Sequence, residues 1–131
     1  MRRLILIASS LIFMFLGTAY AEFSTNNSTK ISGDKLKEML AGKARHCTIP
    51  SGRSWTWSFY EDGKLFAVSG GGESKGTWSI NSGGAVCYDY DTGNFRNACH
   101  TMYQNPDNPE ELAYLGGSSG RFYTCKLIPI K

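Results

Sequence analysis

Two pairs of chemically reactive neighbours stand out in the chain, His46-Cys47 and Cys99-His100, with two further cysteines at Cys87 and Cys125. Thiolate and imidazole are the ordinary donors to zinc, but the spacing departs from the usual C-x-x-C knuckles. Neighbours along a strand also point to opposite faces, so one ion could not draw on both members of a pair. An even cysteine count in a small exported domain reads instead as a disulfide framework. With all four cysteines in bridges, no thiol is left as a nucleophile, and both histidines adjoin those bridges. Neither a G-x-S-x-G elbow nor an H-E-x-x-H helix occurs. The carboxylates Glu61, Asp62 and Glu73 fall in predicted turns, where a solvated charge is the ordinary role. Asp89 to Gly93, "DYDTG", half resembles a calcium loop, but its glycine is misplaced and no glutamate closes a twelve-residue frame. The sequence therefore predicts a protein without catalytic residues, metal or cofactor.

A different chemistry, ring stacking, is suggested by "SWTWSFY" at Ser54 to Tyr60. On a strand, Trp55, Trp57 and Phe59 share one face and the hydroxyl residues share the other. Such a row either fills a core, each large ring burying about 150–250 Å², or forms a platform for a sugar ring or an apolar ligand. Trp55 and Trp57 are the candidate ligand residues here, and Trp78 belongs to the core in either case.

The elements that must position these residues are short strands. Turn signals recur at intervals of about ten residues, the pattern of an antiparallel meander. The expected strands are Arg53 to Tyr60, Lys64 to Ser69, Gly76 to Ile80, Ala85 to Tyr90, Phe95 to Tyr103, Leu112 to Leu115 and Phe122 to Ile128. Asp62-Gly63 marks a tight turn. Ser69 to Lys75, "SGGGESK", reads as a loop that lacks the ending of a phosphate-binding loop. Residues 104 to 111, "QNPDNPEE", read as loop because Pro106 and Pro109 cannot donate to a ladder. One helix is expected over Gly33 to Ala41, with Ser32 as its cap, Ile31 and Leu36 at staple spacing, and Gly42 at its end. Strands this numerous must curl to hide an apolar face and their edges. The predicted fold is mainly β, a small antiparallel meander closing into a 7–8-stranded barrel with one short N-terminal helix.

Four cysteines allow three pairings. If Thr92-Gly93-Asn94 is a three-residue hairpin loop, Cys87 faces Cys99, Asp89 faces Asn97 and Tyr90 faces Arg96. Cys87 with Cys99 is then the preferred pair, and Cys47 with Cys125 follows.

The first 21 residues have a positive start, an apolar run from Leu4 to Leu16 and an Ala19-Tyr20-Ala21 cleavage pattern. They predict a secretory signal peptide, too short to span a bilayer. Removing 21 of 131 residues leaves 110, and the loss of Arg2 and Arg3 takes the formal charge from +3 to +1. Scattered basic residues at near-neutral charge exclude the clustered basic surface of a nucleic-acid binder. Residues 22–30 read as a flexible polar leader carrying overlapping N-x-[ST] sequons at Asn26 and Asn27. Residues 31–131 form a single disulfide-stapled β domain, expected as a monomer in the periplasm or outside the cell.

The order F-Y-x-D-G (Phe59 to Gly63), G-T-W-S-I (Gly76 to Ile80), C-Y (Cys87-Tyr88) and a second cysteine at Cys99 resembles small exported proteobacterial proteins of a domain-of-unknown-function family with a lipocalin-like look. The likeness covers roughly residues 32 to 103. It implies an exported β-domain and supplies no catalytic residues. Ser119-Gly120-Arg121-Phe122-Tyr123 is similar to the S-G-x-x-Y loop of bacterial inhibitors of C-type lysozyme. It differs in lying near the C-terminus and in lacking a following Lys-Gly. The resemblance would make Ser119, Gly120 and Tyr123 contact residues, while the same residues also suit a glycine hairpin turn. The functional expectation is a non-catalytic binding module of the envelope for a small apolar or sugar ligand or for an envelope or host protein. A hydrolase inhibitor and a small enzyme are the alternatives.

Overall fold

A computed structural model of the chain describes residues 28–116 and 121–130. The predicted signal peptide, residues 22–27 of the leader with the sequon asparagines Asn26 and Asn27, and Ser119 and Gly120 lie outside the described residues. Ten strands and one helix follow in the order β1 (Thr29–Ile31), α1 (Gly33–Leu40), β2 (Lys43–Thr48), β3 (Ser54–Phe59), β4 (Lys64–Ser69), β5 (Gly72–Ile80), β6 (Val86–Tyr90), β7 (Ala98–His100), β8 (Met102–Asn105), β9 (Asn108–Gly116) and β10 (Arg121–Ile128). All pairings are antiparallel, and the sheet order is β1-β8-β9-β10-β2-β3-β4-β5-β6-β7. The mainly-β, barrel-like architecture with one short helix is as the sequence predicts.

The curl follows from β7 and β8. Only Thr101 separates them, yet β7 pairs with β6 and β8 pairs with β9. One stretch of chain therefore joins two distant parts of the sheet, and the half-barrel bends around a common interior. That interior holds the inward face of β3, with Trp57 at 3% and Phe59 at 0% exposure, together with Leu65, Trp78, Tyr88, Met102, Leu112 and Tyr114. The helix covers one end. Gly33 N–H donates to the carbonyl of Gly84 in the β5–β6 turn, Gly42 N–H donates to Phe59 at the end of β3, and Leu36 and Leu40 are buried beneath. Ser32 occupies the N-cap position, but its hydroxyl makes no capping bond. The opposite end, formed by the β2–β3, β4–β5 and β6–β7 connections, has no such cover among the described residues.

Several boundaries differ from expectation. Thr29 and Lys30, assigned to the flexible leader, pair with Gln104 and Tyr103. Lys43–Thr48 is a strand that the turn spacing did not announce, because its alternation is hidden by Arg45, which faces inward with Cys47. The glycine-rich loop is shorter than expected, since Gly72 to Lys75 already belong to β5 and pair with Ser69 to Phe66. Residues 104–111 are a hairpin turning at Pro106-Asp107, not a loop. Pro109 is tolerated in β9 because the register shifts at Gln104/Asn105, and its carbonyl accepts from Gln104 Nε2 at 2.6 Å. Conversely, residues 95–97 are irregular where a continuous strand from Phe95 is expected.

Both bridges pair as expected, Cys87 with Cys99 and, by the remaining choice, Cys47 with Cys125. The connection between β6 and β7, however, spans residues 91–97, not the three-residue loop Thr92-Gly93-Asn94, and Tyr90 N–H donates to Asn97 Oδ1 where pairing with Arg96 is expected. The ladder of β6 and β7 stops at Tyr88–Ala98, and Asp89 meets Asn97 through side chains instead. Two disulfides indicate an oxidising, extracytoplasmic compartment. No described helix is long and apolar enough to cross a membrane.

Candidate functional site

At the end opposite the helix lies a hollow of about 750 Å³, within the range of small-molecule sites. Three hairpin connections build it. The β2–β3 turn is closed by Ile49 N–H to the carbonyl of Arg53 at 3.0 Å, and it brings Arg53 and Ser54 to the rim. The β4–β5 turn contributes Ser69 and Gly70 to Gly72. The β6–β7 connection folds back over β5, where Asp91 N–H donates to the carbonyl of Lys75 and Phe95 N–H donates to Ser74 Oγ at 3.1 Å. This close seating requires glycine at 93, since a Cβ there would stand 2.0 Å from Ser74 Oγ. As a result Asn94 and Phe95 reach the cavity wall.

The floor is aromatic. Trp55 is partly buried and meets Trp57 edge-on at 5.5 Å and Tyr123 edge-on at 6.1 Å. Tyr123 lies close over Gly116, where a Cβ would be 2.0 Å from its ring. The buried indole N–H of Trp55 has no hydrogen-bond partner among the described residues. An orphaned buried donor of this kind costs about 1–3 kcal/mol.

Beneath the floor the rings continue as one packed column. Trp57 stacks on Tyr88 at 4.7 Å, and His100 stacks on Tyr114 at 4.0 Å. Trp57 Nε1 donates to Tyr90 Oη at 2.9 Å, and His100 Nδ1 shares a 3.3 Å hydrogen bond with Tyr88 Oη. Burial moves the titratable groups of this column away from neutrality. It pushes Tyr90 up to about 12, a rise moderated by the Trp57 hydrogen bond, and it raises Tyr88 and Tyr114 as well. The same desolvation lowers His100 to about 4.

Because the folded state holds His100 below its unfolded value near 6.5, its contribution to stability is complete above that value and is lost as pH falls toward 4. The expected loss across this window is about 3 kcal/mol. Urea midpoints measured at neutral pH and near pH 4 should separate accordingly. In a His100→Gln variant that part of the pH dependence should vanish.

The residues singled out in the sequence are thus divided. Trp55 and Tyr123 line the mouth, whereas Trp57 sits below it in the core. Ser119 and Gly120 lie outside the described residues. Glu61 and Asp62 border a separate hollow of about 500 Å³ beside the helix, at the opposite end from Glu73 on β5. These three carboxylates therefore do not converge on one site. His46, on the outer face, is bonded to Thr56 Oγ1 at 3.1 Å, away from inward-facing His100. Arg53, Asn94 and Phe95 were not anticipated as site residues. A clue existed for Phe95, an isolated apolar ring following the polar turn "DTGN", but nothing in "PSGRS" distinguishes Arg53 from any solvated turn residue.

The class these features define is a disulfide-stapled β half-barrel, plugged by a helix at one end and hollow at the other. No protein-family model matches the chain, and no curated protein matches it by sequence.

Proposed function

We propose that this protein is an exported, non-catalytic binding module that holds a small ring-bearing ligand in the mouth of its half-barrel. The observation that carries this reading is the hollow itself, whose floor presents Trp55 beside Tyr123 and Phe95. Export to the periplasm or beyond agrees with the signal-like N-terminus and with two bridges that need an oxidising compartment. The inhibitor reading draws less support, because Tyr123 packs its ring over Gly116 at the cavity wall.

Ligand-observed NMR against a library of ring-containing fragments tests the proposal. Hits are expected for the native protein, and Trp55→Ala should weaken them about tenfold or more while retaining a cooperative melt, given the usual worth of a stacked ring. Absence of hits, or hits indifferent to Trp55→Ala, would overturn it.

A further inference from the structure

The polar groups around the mouth are not balanced between donors and acceptors. Ser69 Oγ already accepts from Gly71 N–H at 3.3 Å, and Ser74 Oγ accepts from Phe95 N–H at 3.1 Å. Acceptor capacity of the wall is thus partly consumed within the protein, and Ser74 is fully buried beneath the β6–β7 connection. The Trp55 indole N–H has no partner among the described residues, but it is itself buried and so is not a donor presented to an occupant. Among the described lining residues Arg53 carries the single formal charge, and no Asp or Glu joins it. The ion pair formed among the described residues, Lys64 with Asp62, belongs to the β3–β4 turn at the plugged end. Arg53 therefore stands at the rim without a carboxylate partner in the described chain. A guanidinium is the side chain best matched to a planar oxyanion, which it can hold through two parallel N–H donors.

We infer that the occupant of the mouth is an anion: a ring compound bearing a carboxylate, its ring on the Trp55, Phe95 and Tyr123 floor and its carboxylate at Arg53. This rests on the mouth being the binding site. The shared chemistry fits two sources, an aromatic acid and an acidic sugar. Asn94 stands at the same wall to meet the hydroxyls of the second.

Isothermal titration of the oxidised, signal-free chain with matched pairs separates the alternatives. The probes are 2-naphthoate against 2-naphthamide and digalacturonate against its dimethyl ester. The acid of at least one pair is expected to bind about tenfold more tightly than its neutral partner. Arg53→Gln should remove that difference while leaving affinity for the neutral compound unchanged. Raising salt to about 0.5 M should weaken the acid alone, because a rim contact is screened. Preference for naphthoate would identify an aromatic acid as the ligand class, and preference for digalacturonate an acidic sugar. Equal binding of acid and neutral partner, or a preference that survives Arg53→Gln, would overturn the inference and leave the mouth as a site for neutral rings. Failure of all four probes to bind, with the Trp55-dependent NMR hits present, would overturn this inference alone; failure together with the absence of such hits would overturn both readings.

Discussion

Replacing Trp57 with alanine is expected to destabilise the domain by about 3–5 kcal/mol, the largest effect of any single ring. The reason starts in the alternation of "SWTWSF", which places Trp57 on the inward face of β3 midway between Trp55 and Phe59. From there its indole meets Trp55, Phe59, Tyr88, His100 and Tyr114 with centroids 4.7–6.3 Å apart. Those partners come from β3, β6, β7 and β9, so the ring joins parts of the sheet that share no direct hydrogen bonds with β3. Truncation would empty the centre of the half-barrel and also leave Tyr90 Oη without its indole donor. Domains of this size have total stabilities of about 5–15 kcal/mol, so the loss should appear as a large fall in the urea midpoint. Trp57→Phe keeps a ring but loses the hydrogen bond, and a decrease of about 1–2 kcal/mol is expected. A midpoint for Trp57→Ala within experimental error of the native value would mean that the interior is not one packed unit.

The second large effect is expected at Arg45. Its position opposite Trp57 on β2 turns the side chain inward, where it is 2% exposed. The guanidinium donates to the carbonyl of Met39 in the last turn of the helix at 3.1 Å and to the carbonyl of Glu110 on β9. Burial lowers its pKa to about 10, with Glu110 opposing the shift, so the cation persists at neutral pH. One residue thereby ties the helical plug to the wall. Arg45→Met preserves the stem but removes both hydrogen bonds, and a loss of about 2–4 kcal/mol is expected from two part-buried, charge-assisted hydrogen bonds. Hydrogen exchange gives a more specific readout, since the amides of α1 should lose protection before those of β3 and β4. Retained helix protection in Arg45→Met would show that the apolar contacts of Leu36 and Leu40 suffice to seat the plug.

How much of this was legible in the sequence depended on whether a signal was local. The β3 stripe and the Asp62-Gly63 turn rest on periodicity and turn chemistry and appear in the structure, and Cys87 does face Cys99, although through a longer connection over residues 91–97 than the three-residue turn expected. The helix was equally clear from its Leu36, Met39 and Leu40 stripe and the glycine that follows. Strand β2 was missed because an inward arginine breaks the apolar alternation; its burial is made tolerable by carbonyls of Met39 and Glu110, one nearby and one distant in sequence. Pro106 and Pro109 suggested a loop where a register shift accommodates a hairpin. The mouth was the least legible feature. Trp55 and Tyr123 were marked by their type, but Arg53, Asn94 and Phe95 become neighbours only when three separate connections meet at one end of the sheet.

The first and last described strands, β1 and β10, fix the side from which the half-barrel can be held. Thr29 pairs with Gln104 beside the Pro106-Asp107 turn, and Ile128 pairs with Ala44 near the base of the helix. Both entry and exit of the described chain are thus on the plugged side, and the hollow points the opposite way. An attachment made at Thr29 or Ile128 would hold the half-barrel by its base and leave the hollow on the far side.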